Sequence, residues 1–123
     1  MKLLDTYFQI LEHNAQNDSH RFVVSMLSTH PVYQGHFPGN PVSPGVCNMQ
    51  MLKECAETVL GHDTDLVEVK QYRLTGIITP QKTPRLNIDM TLGTDQDTVQ
   101  VIAKVYDDQA SYIDFKGTLR KQQ

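Results

Sequence analysis

Gly35-His36-Phe37-Pro38-Gly39-Asn40-Pro41-Val42-Ser43-Pro44-Gly45-Val46 is the stretch on which the fold turns. Between His30 and Pro44 the chain carries four prolines and two glycines, which exclude regular structure and fix a stiff loop. His36 sits between residues that restrict or permit unusual torsions, and a general base needs such fixed placement. Beyond Pro44 the composition changes abruptly. From Gly45 to Leu60 there is no proline or internal glycine, and Gly61 follows as a C-cap, so a helix is predicted there. Gly45 opens it, where free N–H groups and the positive end of the macrodipole suit a developing oxyanion.

Apolar Met49, Met51, Leu52, Cys55, Ala56, Val59 and Leu60 cover most of that helix, which predicts enclosure by other structure. Gln50, Lys53, Glu54 and Glu57 form one polar stripe at spacings of three and four, either a solvated face or a catalytic one. Upstream, Arg21 to Leu27 alternates as a strand, and Ala15 to Ser19 is a polar connection to an earlier one. Downstream, strand patterns run over Leu66 to Ile78, Arg85 to Leu92, Thr98 to Tyr106 and Tyr112 to Arg120. The phase changes between Val69 and Tyr72, which predicts a bulge, and Thr94 to Asp97 reads as a hairpin turn. Two strands, an enclosed helix and four strands give an α+β domain, an antiparallel sheet wrapped around a central helix.

With 123 residues, the chain is expected to form a single domain over 1–123. No apolar run is long enough to span a bilayer, and Asp5 interrupts the start where a secretory leader would stay apolar, so a cytoplasmic location is expected. A net charge of −3 and the lack of interleaved basic and aromatic residues argue against nucleic acid. Cys47 and Cys55 lie too far apart along one helix to bridge and are expected to be reduced packing residues. No Cys/His spacing suggests a metal, and no cofactor is expected. His13, His20, His30 and His62 lack the context of His36 and read as structural or solvated.

The twelve-residue stretch closely resembles the signature of the hot-dog-fold 3-hydroxyacyl-(acyl-carrier-protein) dehydratases. The resemblance implies a hot-dog fold and elimination of water from a 3-hydroxyacyl thioester of a carrier protein or coenzyme A, giving a trans-2-enoyl thioester. It makes His36 the base, puts the thioester carbonyl on the Gly45 amide, with Val46 and Phe37 beside the substrate, and implies a dimer whose sites draw on both subunits. The family's acid, fourteen residues after the histidine, is Gln50 here; an amide orients a hydroxyl but does not protonate it. Glu54, one turn on, stands where many relatives carry Gln, as if the pair were exchanged, so Gln50 and Glu54 complete the candidate catalytic set. Two rivals remain: a non-catalytic acyl-binding subunit of a heteromeric dehydratase, paired with a related hot-dog chain, and a hot-dog thioesterase using Glu54 or Glu57. Lys70, Arg73, Lys82 and Arg85 are either a docking patch for an acidic carrier or ordinary surface cations.

Overall fold

The computed structural model describes residues 2–35 and 42–123. β1 (Phe8–Gln16) and β2 (Ser19–Met26) form a hairpin, followed by a one-turn α1 (Val32–Gly35) and a long α2 (Gly45–Leu60). Then come β3 (Thr64–Leu74), β4 (Arg85–Asp95), β5 (Thr98–Tyr106) and β6 (Ser111–Lys121). All pairings are antiparallel, in the order β1-β2-β4-β5-β6-β3, so the helical crossover carries the chain from β2 to the far edge. This is the hot-dog architecture.

One face of the sheet is apolar because the strands alternate. Phe22, Ile88, Val105 and Ile113 align in register across β2, β4, β5 and β6, and all four are fully buried. Met51, Leu52, Cys55 and Ala56 of α2 belong to the same core. Burying a large apolar side chain contributes about 1.5–3 kcal/mol, so this helix–sheet contact is the main source of cohesion. Gly61 closes α2 at φ 79, a left-handed conformation that glycine adopts without strain, and its N–H bonds the Glu57 carbonyl.

The predicted bulge lies between Val69 and Gln71, and a second falls between Leu66 and Glu68. Two expectations need correction. The strand after α2 was expected to reach Ile78 but ends at Leu74. From Thr79 the chain instead folds back on itself, the Thr83 hydroxyl donating to the Thr79 carbonyl at 2.6 Å. Ile78 is buried in that excursion, and its carbonyl accepts the Ser43 amide at 2.8 Å. The proline-rich stretch also contains regular structure: α1 fits after Pro31, where the missing N–H is harmless, and the Val32 amide is capped by His30 Nδ1 at 3.1 Å.

Candidate functional site

The N-terminus of α2 is uncapped by any side chain. Pro44 is extended at φ −68 and ψ 145, and the Asn48 amide bonds its carbonyl at 3.0 Å. The amides of Gly45, Val46 and Cys47 therefore have no acceptor within the helix, and they carry its positive end. Beneath them lies Tyr72 of β3: a Cβ built on Gly45 would stand 3.5 Å from its hydroxyl. Val46 points its side chain to solvent, 63% exposed, so a role for it runs through its amide.

A buried polar cluster supports this corner. Asn48 accepts from the Tyr7 hydroxyl at 2.9 Å and donates to the Tyr72 hydroxyl at 3.4 Å and the Ser43 carbonyl at 3.5 Å. Tyr33 bonds the Ser43 hydroxyl at 2.9 Å, and its ring stacks on Tyr7 at 5.9 Å. His30 meets the Tyr7 ring edge-on at 5.5 Å. Burial pushes both phenols above their usual range, so they act as neutral hydrogen-bonding groups. Burial likewise raises the Cys47 thiol, which keeps it a packing residue and not a nucleophile. Composition and spacing did not mark Tyr7, Tyr33, Ser43, Asn48 or Tyr72. Their common signal is a polar group at a position otherwise suited to the core.

His36 and Phe37 lie outside the described residues. Tyr33 and Ser43 nonetheless tie together the two flanks of the segment that bears them.

Within the polar stripe of α2, Glu54 and Glu57 are buried, so these two do not form a solvated face. Glu54 is 3% exposed, and its carboxylate accepts the backbone amides of Leu3 (2.8 and 3.1 Å) and Leu4 (2.8 Å). Gln50 donates its side-chain nitrogen to Glu54 Oε2 at 2.9 Å. Glu57 is buried too: its Oε2 accepts from the Thr64 amide (2.6 Å), the Thr64 hydroxyl (3.1 Å) and Lys53 Nζ (3.2 Å). Two carboxylates expected to face solvent or substrate thus bind backbone amides, Glu54 those of Leu3 and Leu4 and Glu57 that of Thr64 at the start of β3. A buried carboxylate without such donors is costly, which is why each has found amides.

Lys70 and Arg73 on β3 are separated in the sheet from Lys82 and Arg85, around the start of β4, by β5 and β6. Lys70 bonds Gln100, and Arg85 faces Glu12 at 3.9 Å. A cavity of about 820 Å³, lined by Arg21, Asp89, Ile102, Lys104 and Lys116 among others, opens on the outer face of the sheet and includes no residue of α2. Among the described residues, no helix is long and apolar enough to cross a membrane.

Comparison with known proteins agrees with this architecture. The model of the ApeI-like family, described as ApeI dehydratase, matches residues 12–113. A 3-hydroxyacyl-acyl-carrier-protein dehydratase FabZ of Levilactobacillus brevis is 32% identical over 85 residues, 59% of this chain and 57% of that protein. Another FabZ, from Nitratidesulfovibrio vulgaris, is 46% identical over 48 residues, 38% of this chain and 31% of that protein. The matches thus span about half or less of the length of these curated relatives. In three dimensions the chain is similar to a chain of the dehydratase heterocomplex ApeI:P from Xenorhabdus doucetiae. The TM-score is 0.71 at 16% identity, covering 91% of this chain and 96% of that one.

Helix and sheet order define a hot-dog domain. More narrowly, the match over residues 12–113 shows that the chain belongs to the ApeI-like dehydratase family.

Proposed function

We propose that this chain forms part of a dehydratase site for 3-hydroxyacyl thioesters, presented on an acyl-carrier protein. The observation that carries the reading is the uncapped N-terminus of α2, placed directly after the His36 segment and backed by Tyr72 and Asn48. The thioester carbonyl takes the Gly45 amide, which stabilises the enolate oxygen as charge develops there. His36 removes the α-proton. The electron pair forms the 2,3 double bond, the C3–oxygen bond breaks, and the hydroxyl leaves as water once it has received a proton.

Supply of that last proton separates the readings. Gln50 has none to give, and the Glu54 oxygens are occupied by Leu3 and Leu4. This favours, as a second reading, a heteromeric site in which a related hot-dog chain contributes the carboxyl group and this chain binds acyl substrate. The thioesterase reading has less support, because Glu54 and Glu57 are both buried and bound to backbone amides. The deciding experiment offers 3-hydroxyacyl carrier-protein thioesters to the purified chain, alone and mixed with a related hot-dog subunit. Enoyl thioester supports dehydration. Free thiol without enoyl product overturns it in favour of hydrolysis.

A further inference from the structure

His13 of β1 and His20 of β2 are seven positions apart along the chain, and the hairpin brings their rings together. In the register His13 faces Phe22 and His20 faces Ala15, so the two histidines lie diagonally across the strand pair on one face. His13 Nε2 and His20 Nδ1 stand 3.0 Å apart at an exposed position. Both rings are held in place by what surrounds them. The His13 ring lies flat on that of the fully buried Phe22, with centroids 4.4 Å apart and planes within 4°. β2 runs between β1 and β4, and His20 pairs there with Met90. The turn is fixed as well. Asn17 takes the left-handed conformation at φ 56, and the Asp18 carbonyl accepts the Leu92 amide at 3.0 Å, which ties the hairpin tip to β4.

We infer that His13 and His20 form a chelate for a late first-row divalent cation, Cu²⁺ or Ni²⁺ in preference to Zn²⁺. Imidazole nitrogens bind such ions at about 2.0–2.1 Å, and at that length two nitrogens 3.0 Å apart subtend an angle of about 94° at the metal. That is close to the right angle between neighbouring ligands of a tetragonal site, whereas a tetrahedral site would need the nitrogens farther apart. The ion lies off the line joining the nitrogens and replaces the hydrogen bond between them. The ring that donates this bond moves its proton to its other nitrogen, so both converging nitrogens bind as neutral lone pairs. Burial and the neighbouring His20 lower the His13 pKa, which favours the neutral form. Among the described residues no group of three His, Cys, Asp or Glu side chains is placed to hold a metal, so water fills the remaining positions of this ion. The chelate does not depend on the dehydratase reading.

The test is calorimetric titration of tag-free protein with Cu²⁺, Ni²⁺, Zn²⁺ and Mg²⁺, in native form and as His13→Gln and His20→Gln. Cu²⁺ should bind most tightly and Mg²⁺ not at all, as imidazole ligands dictate. Each substitution leaves a single imidazole and should weaken Cu²⁺ binding by about tenfold or more, because the second bond of a chelate forms within one molecule. His62→Gln, outside the hairpin, should leave it unchanged. No binding to the native protein, or tight binding that survives both His13→Gln and His20→Gln, overturns the inference. A second measurement uses the native chain and is independent of how the variants fold. Substoichiometric Cu²⁺ broadens the NMR signals of nearby nuclei, and the ring resonances of His13 and His20 should vanish before those of His30 and His62. The opposite order means an adventitious ion only, bound elsewhere, and removes the chelate.

Discussion

The hydroxyls of Tyr33 and Ser43 stand 2.9 Å apart, one on each flank of the segment that carries His36. Both residues are buried, and Tyr7 stacks on the Tyr33 ring while bonding Asn48 at the start of α2. The two flanks and the helix are thereby joined through side chains. Removing one hydroxyl leaves its partner buried without that bond, at a cost of about 1–3 kcal/mol. Tyr33→Phe and Ser43→Ala should each lower the urea midpoint by a corresponding amount. In a double-mutant cycle the losses should not add, with a coupling of roughly 1 kcal/mol. Additive losses would mean that the two hydroxyls do not depend on each other.

Gly45 gives a cleaner separation of site from fold. Among the described residues, the three nearest atoms a Cβ there would meet all belong to Tyr72, at 3.5–3.7 Å, which is ordinary contact, and alanine suits the first turn of a helix. Gly45→Ala should therefore leave stability within roughly 0.5 kcal/mol of native. If the thioester carbonyl approaches the Gly45 amide, the added methyl crowds that approach, and dehydration should fall by about 10-fold or more. Thermal unfolding and enoyl formation, measured on the same preparation, check both halves. Unchanged turnover would move the carbonyl away from this amide.

Much of this fold is legible locally, and the site is legible only in part, for a definite physical reason. Helix α2 announces itself through the step from proline-rich to helix-forming residues and its glycine stop, and β4 through the alternation of Leu86, Ile88, Met90 and Leu92 with polar neighbours. Those signals lie within a few residues of what they specify. Glu54 does not: its backbone partners, Leu3 and Leu4, lie some fifty residues earlier, so spacing alone did not show that its carboxylate is buried against them. The Tyr7–Asn48 bond spans forty-one positions and is equally invisible to spacing. α1 was missed because proline density argued for a loop, whereas Pro31 and the His30 cap allow one helical turn.

Across the outer face of the sheet, Arg21, Asp89, Lys104, Asp114 and Arg73 align in register on five strands with alternating charge. Asp89 is gripped by Arg21 at 2.8 and 3.1 Å and accepts the Tyr106 hydroxyl. The Arg21 hydrogen bonds, with help from Tyr106, hold the Asp89 carboxyl below its usual range. A group depressed on folding contributes stability that is present above its unfolded pKa, near 4, and lost as pH falls through the folded value. Asp89 is partly exposed, so solvent screens the effect and the contribution is small. Asp89→Asn should lower Tm by roughly a few degrees at pH 7 and low salt. The gap from native should narrow below about pH 4 and in high salt, because native protein then loses the same interaction. Thermal scans over pH and salt decide it, and a gap independent of both would assign the loss to packing.

The last prediction joins His36 to Gln50, since dehydration needs a proton removed and a proton returned. Substituting Gln50→Glu supplies a protonatable group at the position where the resemblance places the family's acid. Dehydration of a 3-hydroxyacyl carrier-protein thioester should then rise by up to about 10²-fold over the native chain, within what a general acid contributes. The gain has to depend on the base. Adding His36→Ala to Gln50→Glu should return the rate to background while circular dichroism still reports the native fold, because the introduced acid has no α-proton transfer to complete. The reverse order is equally informative: His36→Ala alone should remove whatever slow turnover the native chain shows. Enhancement that survives without His36 would place the base elsewhere in the site. No enoyl product from either background, at any acyl length tried, would leave this chain as the acyl-binding half of a site whose chemistry belongs to its partner.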